Sequence, residues 1–504
     1  MERTGEGVER TDRFRLVLLD RAEAQSAEIP SLDPATGRVL LAAEHLVHIF
    51  DLDGEGRLQP IAVVWPGAEI DPGYDNAEVA HVVADPKGRG FAAATLVPAR
   101  FAEDRGRVVL LDTQTGAVLD WAPTGFNPDC VVFTADAERL LIANEGEPAF
   151  APAGTPRLAD GSRRVIDPVG SISVIELDLS GPSPRISGTE EIVPSFEPSG
   201  QIRVHPGVPM ARDLEPEYIA VLGDRAWVGL QDNNAIMTLD ARTGLPTGIH
   251  PLATIDQRID PGGRKGISID TVVRSMPMPD TITVADIGGR TVLITANEGD
   301  DRGEWGDPDA PRGDRARAAR LVELGRMDPD AARGMERLRV CAFTGDTTGD
   351  GLIDVPHAFG TRSVSVWDAE TFELIGDTGS AFEEEMAARA PEWFNANPGR
   401  PGSAGARSDT RGPEPEGLAF AEIDGEPLVF VGLERPGAVA IVSLADPASP
   451  TVVGFCVSAE DGDFAPEGLV FVPAEVSPTG GPLLVVAYEG SGTLVVYRIE
   501  RVGG

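Results

Sequence analysis

Lysine is almost missing from this 504-residue chain: only Lys87 and Lys265 stand among 43 basic residues, so its positive charge is arginine. Acidic residues number 81, and the formal net charge of −38 argues against a nucleic-acid partner, since a polyanion would be repelled instead of gaining from counterion release. Such acidity also suits a solvated surface in a salty environment. Cysteine is scarce. Cys130, Cys341 and Cys456 sit in apolar runs without CxxC spacing, cannot all pair with one another, and read as small buried hydrophobes. No stretch of 18 apolar residues occurs, so no membrane span is expected. The opening residues, MERTGEGVERTDRFRLVLLD, lack an apolar segment of signal-peptide length, which by itself points to the cytoplasm.

Catalytic signatures are missing as well. GxxxxGK before Ser or Thr, GxSxG and HExxH do not occur, which removes the usual support for nucleotide-cradling, serine-esterase and zincin readings. The six histidines are scattered, and His45, His48 and His81 read as structural. Any hydrolysis would therefore have to use metal-activated water, with carboxylates as ligands and base.

What the chain does contain is a repeat: an acidic residue, an apolar strand, a turn, a second apolar strand ending in a polar cluster, then a third strand. Clear copies begin at Pro128, Glu215, Pro279, Pro415 and Pro466, and weaker ones at Glu28 and Glu78. One meander cannot bury both of its faces, so such units stack into a ring without exposed edges. The expected fold is all-β: a single seven-bladed β-propeller domain over residues 1–504. The unassigned run Phe14 to Leu19 is expected to supply the outermost strand of the last blade and clasp the ring. Two insertions interrupt the pattern. Residues 301–338 carry helical spacing and suggest two short helices, and residues 381–411 open on a helical run, FEEEMAARA, before a Gly/Pro/Ser-rich loop. Both are expected to have little core of their own.

Adjacent strands of a meander run in opposite directions, so the start of the first and the end of the second lie at the same end of a blade. First strands start with Glu28, Glu78, Asp129, Glu217, Asp280, Glu416 and Glu467; second strands end at Glu44, Glu145, Gln231, Glu298, Glu434 and Glu489. These carboxylates should crowd one mouth of the central channel, where like charges raise one another's pKa unless something positive intervenes. Oxygen donors, with Asn144, Asn233, Asn234 and Asn297 nearby, favour Ca²⁺, and less so Mg²⁺, over zinc. Asp280, Asn297, Glu298 and Asp300 are the candidate metal ligands at the mouth, and Asn144, Glu145, Glu217, Asn233, Asn234, Glu416, Glu434 and Glu467 the candidate ligand-binding residues. The alternative is that Arg302, Arg407 and Arg435 neutralise the ring. A second candidate calcium site, DTTGDGLID, places Asp346, Asp350 and Asp354 around Gly351, although His357 stands where an EF-hand has Glu; a plain Asp/Gly-rich turn is equally consistent with it.

Several longer motifs resemble the choice-of-anchor I domain family: ANEGEP at Ala143 to Pro148, LEPEYIAV at Leu214 to Val221, LQDNNAI at Leu230 to Ile236, TANEGDDR, GTRSVSVWD at Gly360 to Asp368, RSDTRGPEPEG at Arg407 to Gly417, and GLERPG at Gly432 to Gly437. The resemblance runs from about residue 14 to residue 499. It implies a β-propeller of the kind that bacteria secrete and hold at the surface by varied C-terminal anchors, similar to mesenchyme-specific cell-surface glycoproteins of biomineralising animals. It therefore implies a secreted, periplasmic or cell-surface location. Some proteins of this kind are called alkaline phosphatases, and the EG-containing repeats also resemble phytase-like propellers; no catalytic set carries over. The chain departs from the family pattern in reaching Gly504 without an anchor, and in reading RIDPGGRKGISIDTVVRS where members often have an Asp-rich stretch. The function expected is binding of a ligand or partner at the acidic mouth, with Ca²⁺ as a possible cofactor. The alternative is a metal-dependent phosphoric-ester hydrolase in which Arg435 or Arg407 stabilises developing charge.

Overall fold

The computed structural model describes residues 12–503 apart from residues 153, 159–162, 196–201, 264–265 and 304–312. Seven four-stranded antiparallel sheets account for the seven repeats. Their innermost strands are Ala27–Leu32, Glu78–Ala84, Pro128–Phe133, Ile219–Leu222, Ile282–Ile287, Pro415–Ile423 and Pro466–Val472. Each touches the next, and Pro466–Val472 returns to Ala27–Leu32, so the chain closes into a β-propeller ring. Second strands are largely apolar because a neighbouring sheet covers either face: Val39–Ala43, Phe91–Val97 and Leu483–Tyr488 are buried at every position. Outer strands alternate instead, as in Arg185–Ile192, which exposes Arg185, Ser187 and Thr189 between half-buried Ile186 and Gly188. A separate apolar core fills each gap between sheets. Val39 and Leu41 of the first sheet, for instance, meet Val485 and Val496 of the last.

The ring is clasped as the sequence suggests. Phe14–Glu23 forms the outer strand of the last sheet, antiparallel to Thr493–Arg501, with Phe14 opposite Arg501 and Glu23 opposite Thr493. Phe14 is buried against Ile441, Val453, Tyr497 and Ile499. The Arg13 N–H donates to the Val453 carbonyl at 2.7 Å, tying this strand to the sixth sheet as well.

The first insertion departs from expectation. Its described part holds one helix, Ala318–Glu323, in place of two, and it begins as a strand, Arg315–Arg317. That strand, Arg339–Cys341, His357–Phe359, Thr271–Met276 and Ile255–Ile259 make a five-stranded sheet with its own core around Leu321, Leu338 and Val340. The Arg/Ala run hides this because Ala316, flanked by arginines, alternates with period two just before the helix starts; residues 304–312 of the insertion lie outside the described residues. The second insertion opens on the expected helix, Ala381–Arg389. It makes no separate core and sends Phe382, Met386, Trp393 and Phe394 into the one between the fifth and sixth sheets. Among the described residues no helix is long and apolar enough to cross a membrane.

Candidate functional site

Four innermost strands are entered through the same kind of tripeptide: Asn127-Pro128-Asp129, Met278-Pro279-Asp280, Glu414-Pro415-Glu416 and Ala465-Pro466-Glu467. The residue before each proline is left-handed, with φ of +49°, +46°, +51° and +57° respectively, a conformation that non-glycine residues adopt only when their surroundings enforce it. In three of these strands the pairing register breaks just after the proline and leaves Asp129, Glu416 and Glu467 outside the ladder; the first sheet does the same with Glu28. Such bulges re-aim a side chain. Two glycines make room for them: a Cβ on Gly417 would lie 1.8 Å from the Glu467 carbonyl oxygen, and one on Gly468 would lie 2.6 Å from that of Glu28.

The result is a cavity of about 510 Å³ at one mouth of the ring, lined among the described residues by fourteen carboxylates and three guanidinium groups. Of the positions expected there, it brings together Asp129, Glu145, Glu217, Gln231, Asp280, Glu298, Asp300, Glu416, Glu434, Glu467 and Glu489. Glu28, Glu44 and Glu78 of the first two sheets lie outside its lining. Glu28 still feels the cavity, since burial and the Glu78 charge push it up to about 8, with Glu489 adding to the effect. The cavity also holds Glu147, Glu215, Asp232, Asp301 and Tyr218, which the strand rule misses because they sit beside the strand ends or on the inserted segment.

Crowding makes these carboxyls hard to ionise. Burial, reinforced by neighbouring charge, pushes Asp129 up to about 6 and Glu147 and Glu298 up to about 7. The same causes raise Glu145, Glu217, Asp280, Glu416, Glu434 and Glu467 well above the ordinary carboxylate range. Among the described residues, buried oxygens of Glu217 (Oε2), Glu416 (Oε2) and Glu434 (Oε2) have no hydrogen-bond partner.

Arginines compensate part of the wall. Arg302 bridges Asp213 at 2.9 Å and Glu215 and Asp232 at 2.8 Å each. Glu414, fully buried, receives Arg407 and Arg411 at 2.9 Å and Arg435 at 2.8 Å. Although burial opposes ionisation, these three cations hold the Glu414 carboxyl down at about 2. Arg411 reaches on to Glu298 at 2.7 Å, and Arg435 to Glu434 at 2.5 Å. Oxygens of Glu298, Glu414 and Glu434 lie within 4.8 Å of one another, a spacing that could hold a metal ion. The arginines already supply the positive charge at Glu414, however. Arg407 and Arg435, the candidate catalytic residues, are thus both bound to a carboxylate. Arg411 and Glu414 were absent from the expected set although both lie in the RSDTRGPEPEG motif.

The asparagines expected at the mouth serve the fold instead. Asn144 accepts from Gly125 N–H and donates to Ser171 and Ser173, and Asn297 accepts from Thr295 and donates to Thr361 and Ser365. Asn233 donates to the Arg203 and Asp213 carbonyls, while Asn234 links Leu252 to the Met278 N–H. None of the four lines the cavity; short amides at strand ends satisfy backbone groups that the ladder leaves unpaired. The DTTGDGLID segment is also elsewhere. Asp346 accepts from Gly349 and Gly351 N–H, Asp350 from Leu352 N–H, and Asp354 from Thr347, so their carboxylates are engaged by their own turn.

A family model described as choice-of-anchor I domain matches residues 28–447. The chain belongs to that family. It is similar to Gigasin-3a of Magallana gigas, with 34% identity over 170 residues, 30% of this chain and 60% of that protein. It is also similar to the mesenchyme-specific cell surface glycoprotein of Strongylocentrotus purpuratus, with 28% identity over 225 residues, 38% of this chain and 28% of that protein. In both cases the match spans less than two thirds of the relative's own length. Among solved structures, the Cps50 (Swd1) β-propeller domain of Myceliophteria thermophila aligns over 96% of this chain and 99% of its own, at 10% identity and a TM-score of 0.43.

Proposed function

We propose that the acidic mouth is a divalent-cation centre through which this propeller binds a ligand or partner, with Ca²⁺ favoured over Mg²⁺. The observation that carries this reading is an imbalance: among the described residues, fourteen carboxylates face three guanidinium groups in one cavity, and buried carboxylate oxygens remain without a partner. Unpaired negative charge in a low-dielectric site attracts a hard cation. A wide, many-oxygen cavity suits Ca²⁺, which takes six to eight oxygens, better than Mg²⁺, which needs a tight octahedron and keeps several waters. An ion held by some of these carboxylates would offer its remaining positions to an anionic group of the ligand. The name of the sea-urchin relative supports a cell-surface or extracellular setting, where modules commonly bind Ca²⁺ with dissociation constants of about 10⁻⁴ to 10⁻³ M.

Calorimetric titration of chelator-treated protein with Ca²⁺ tests the proposal. Saturable heat is expected; no heat at millimolar Ca²⁺ removes the reading. Phosphoric-ester hydrolysis has less support, because Arg407 and Arg435 are committed to Glu414. Turnover of p-nitrophenyl phosphate that a chelator abolishes would restore it.

A further inference from the structure

The segment Glu-Pro-Glu occurs at the entrance to two innermost strands, Glu215-Pro216-Glu217 in the fourth sheet and Glu414-Pro415-Glu416 in the sixth. Both copies treat their two glutamates differently. The first is buried and arginine-bound: Glu215, 2% exposed, to Arg302, and Glu414, 0% exposed, to Arg407, Arg411 and Arg435. The second lines the cavity and, among the described residues, keeps a buried oxygen without a partner, Oε2 in both Glu217 and Glu416. No arginine is paired with either of them among the described residues. Glu434 stands beside Glu416, 7% exposed, with Oε1 taken by Arg435 and Oε2 unpartnered.

We infer that the Glu-Pro-Glu segment sorts charge: its first glutamate anchors the protein's own arginines, and its second, Glu217 or Glu416, is a direct ligand of the bound cation. The inference rests on the cation-centre reading and adds which residues hold the ion. A guanidinium that spans Glu414 and Glu434 occupies the position a metal would need between them, so the close trio Glu298, Glu414 and Glu434 is filled internally. An incoming cation is thereby directed to the oxygens the arginines leave free. Proline between the two glutamates fixes φ and sets them apart on the backbone, which keeps the two roles from exchanging.

The test compares four variants of the full chain, each titrated with Ca²⁺ and melted in chelator. Glu217→Gln and Glu416→Gln remove a crowded carboxyl that is hard to ionise while keeping the shape, so both should fold at least as stably as the parent without Ca²⁺ and bind Ca²⁺ about tenfold more weakly or worse. Glu215→Gln takes one of three carboxylates from buried Arg302, and Glu414→Gln takes the shared carboxylate from Arg407, Arg411 and Arg435, so both should melt lower in chelator. Crystals soaked in Tb³⁺ provide a readout that needs no variant. An anomalous peak within bonding distance of Glu217 or Glu416, and away from Glu414, is expected. Undiminished Ca²⁺ affinity in both Glu217→Gln and Glu416→Gln, or a peak on Glu414, overturns the assignment while leaving cation binding intact. A parent protein that binds no cation in either experiment overturns both.

Discussion

Raising the pH of ion-depleted protein from 5 to 8 should destabilise it. A carboxyl whose pKa is higher in the folded than in the unfolded chain binds its proton more tightly when folded. Its contribution to stability is therefore complete below the unfolded value and lost as pH rises through the folded one. Asp129 and Asp301 sit at about 6, and Glu147 and Glu298 at about 7, against ordinary values near 4. For Glu298, which is 6% exposed, a rise of this size corresponds to a loss on the order of 3 kcal/mol across the window. Neighbouring carboxyls share their repulsion, so their losses combine less than additively. Glu414 has the opposite sign, but its pKa of about 2 places its effect below pH 4, outside the window. Urea midpoints in chelator at pH 5, 6, 7 and 8 measure the trend. They should fall with pH, and saturating Ca²⁺ should flatten the fall, because the ion takes over from the protons. A midpoint that is constant or rises between pH 5 and 8 in chelator would refute the reasoning.

Other perturbations probe the parts separately. Phe14→Ala empties a site in the core between the last two sheets and should cost about 3–5 kcal/mol by chemical denaturation, with faster unfolding as the clasp loosens. Asn297→Ala should lower stability by about 1–3 kcal/mol through the buried hydrogen bonds with Thr295, Thr361 and Ser365 that it removes, while Ca²⁺ stoichiometry by calorimetry stays the same. Replacing Asp346 and Asp350 together by Asn should leave Ca²⁺ stoichiometry unaltered. Gly417→Ala should depress the melting temperature and the Ca²⁺ affinity together, because its methyl group would strike the Glu467 backbone and shift the bulge that aims two carboxylates.

The ring was legible in the sequence because its signal is repetitive. Seven copies of an acidic start and an apolar second strand survive local noise, and FRLVLL at the front supplied the strand the last unit lacked. The acidic mouth followed from strand direction alone, which is why Asp129, Glu298 and Glu467 were foreseen. Side-chain commitments were less legible. Asn144 and Asn297 looked like oxygen donors for a metal, but only the register of neighbouring strands reveals that Ser171, Ser173, Thr361 and Ser365 claim their amides. Arg411 and Glu414 lie in a loop with no strand periodicity, so nothing in their spacing indicates that three arginines converge on one carboxylate. The inserted sheet was hidden because Arg315–Arg317 is too short for alternation to outweigh the helical run that follows.

Proton release on ion binding is the most direct test of the cation centre. Ca²⁺ titrations of chelator-treated protein at pH 6.5, in buffers of differing ionisation enthalpy, count the protons set free per ion. At least one is expected, because burial and crowding favour the protonated form of the carboxyls that receive the ion, and ion binding requires the ionised form. Binding with no proton released would contradict a site built from those carboxyls.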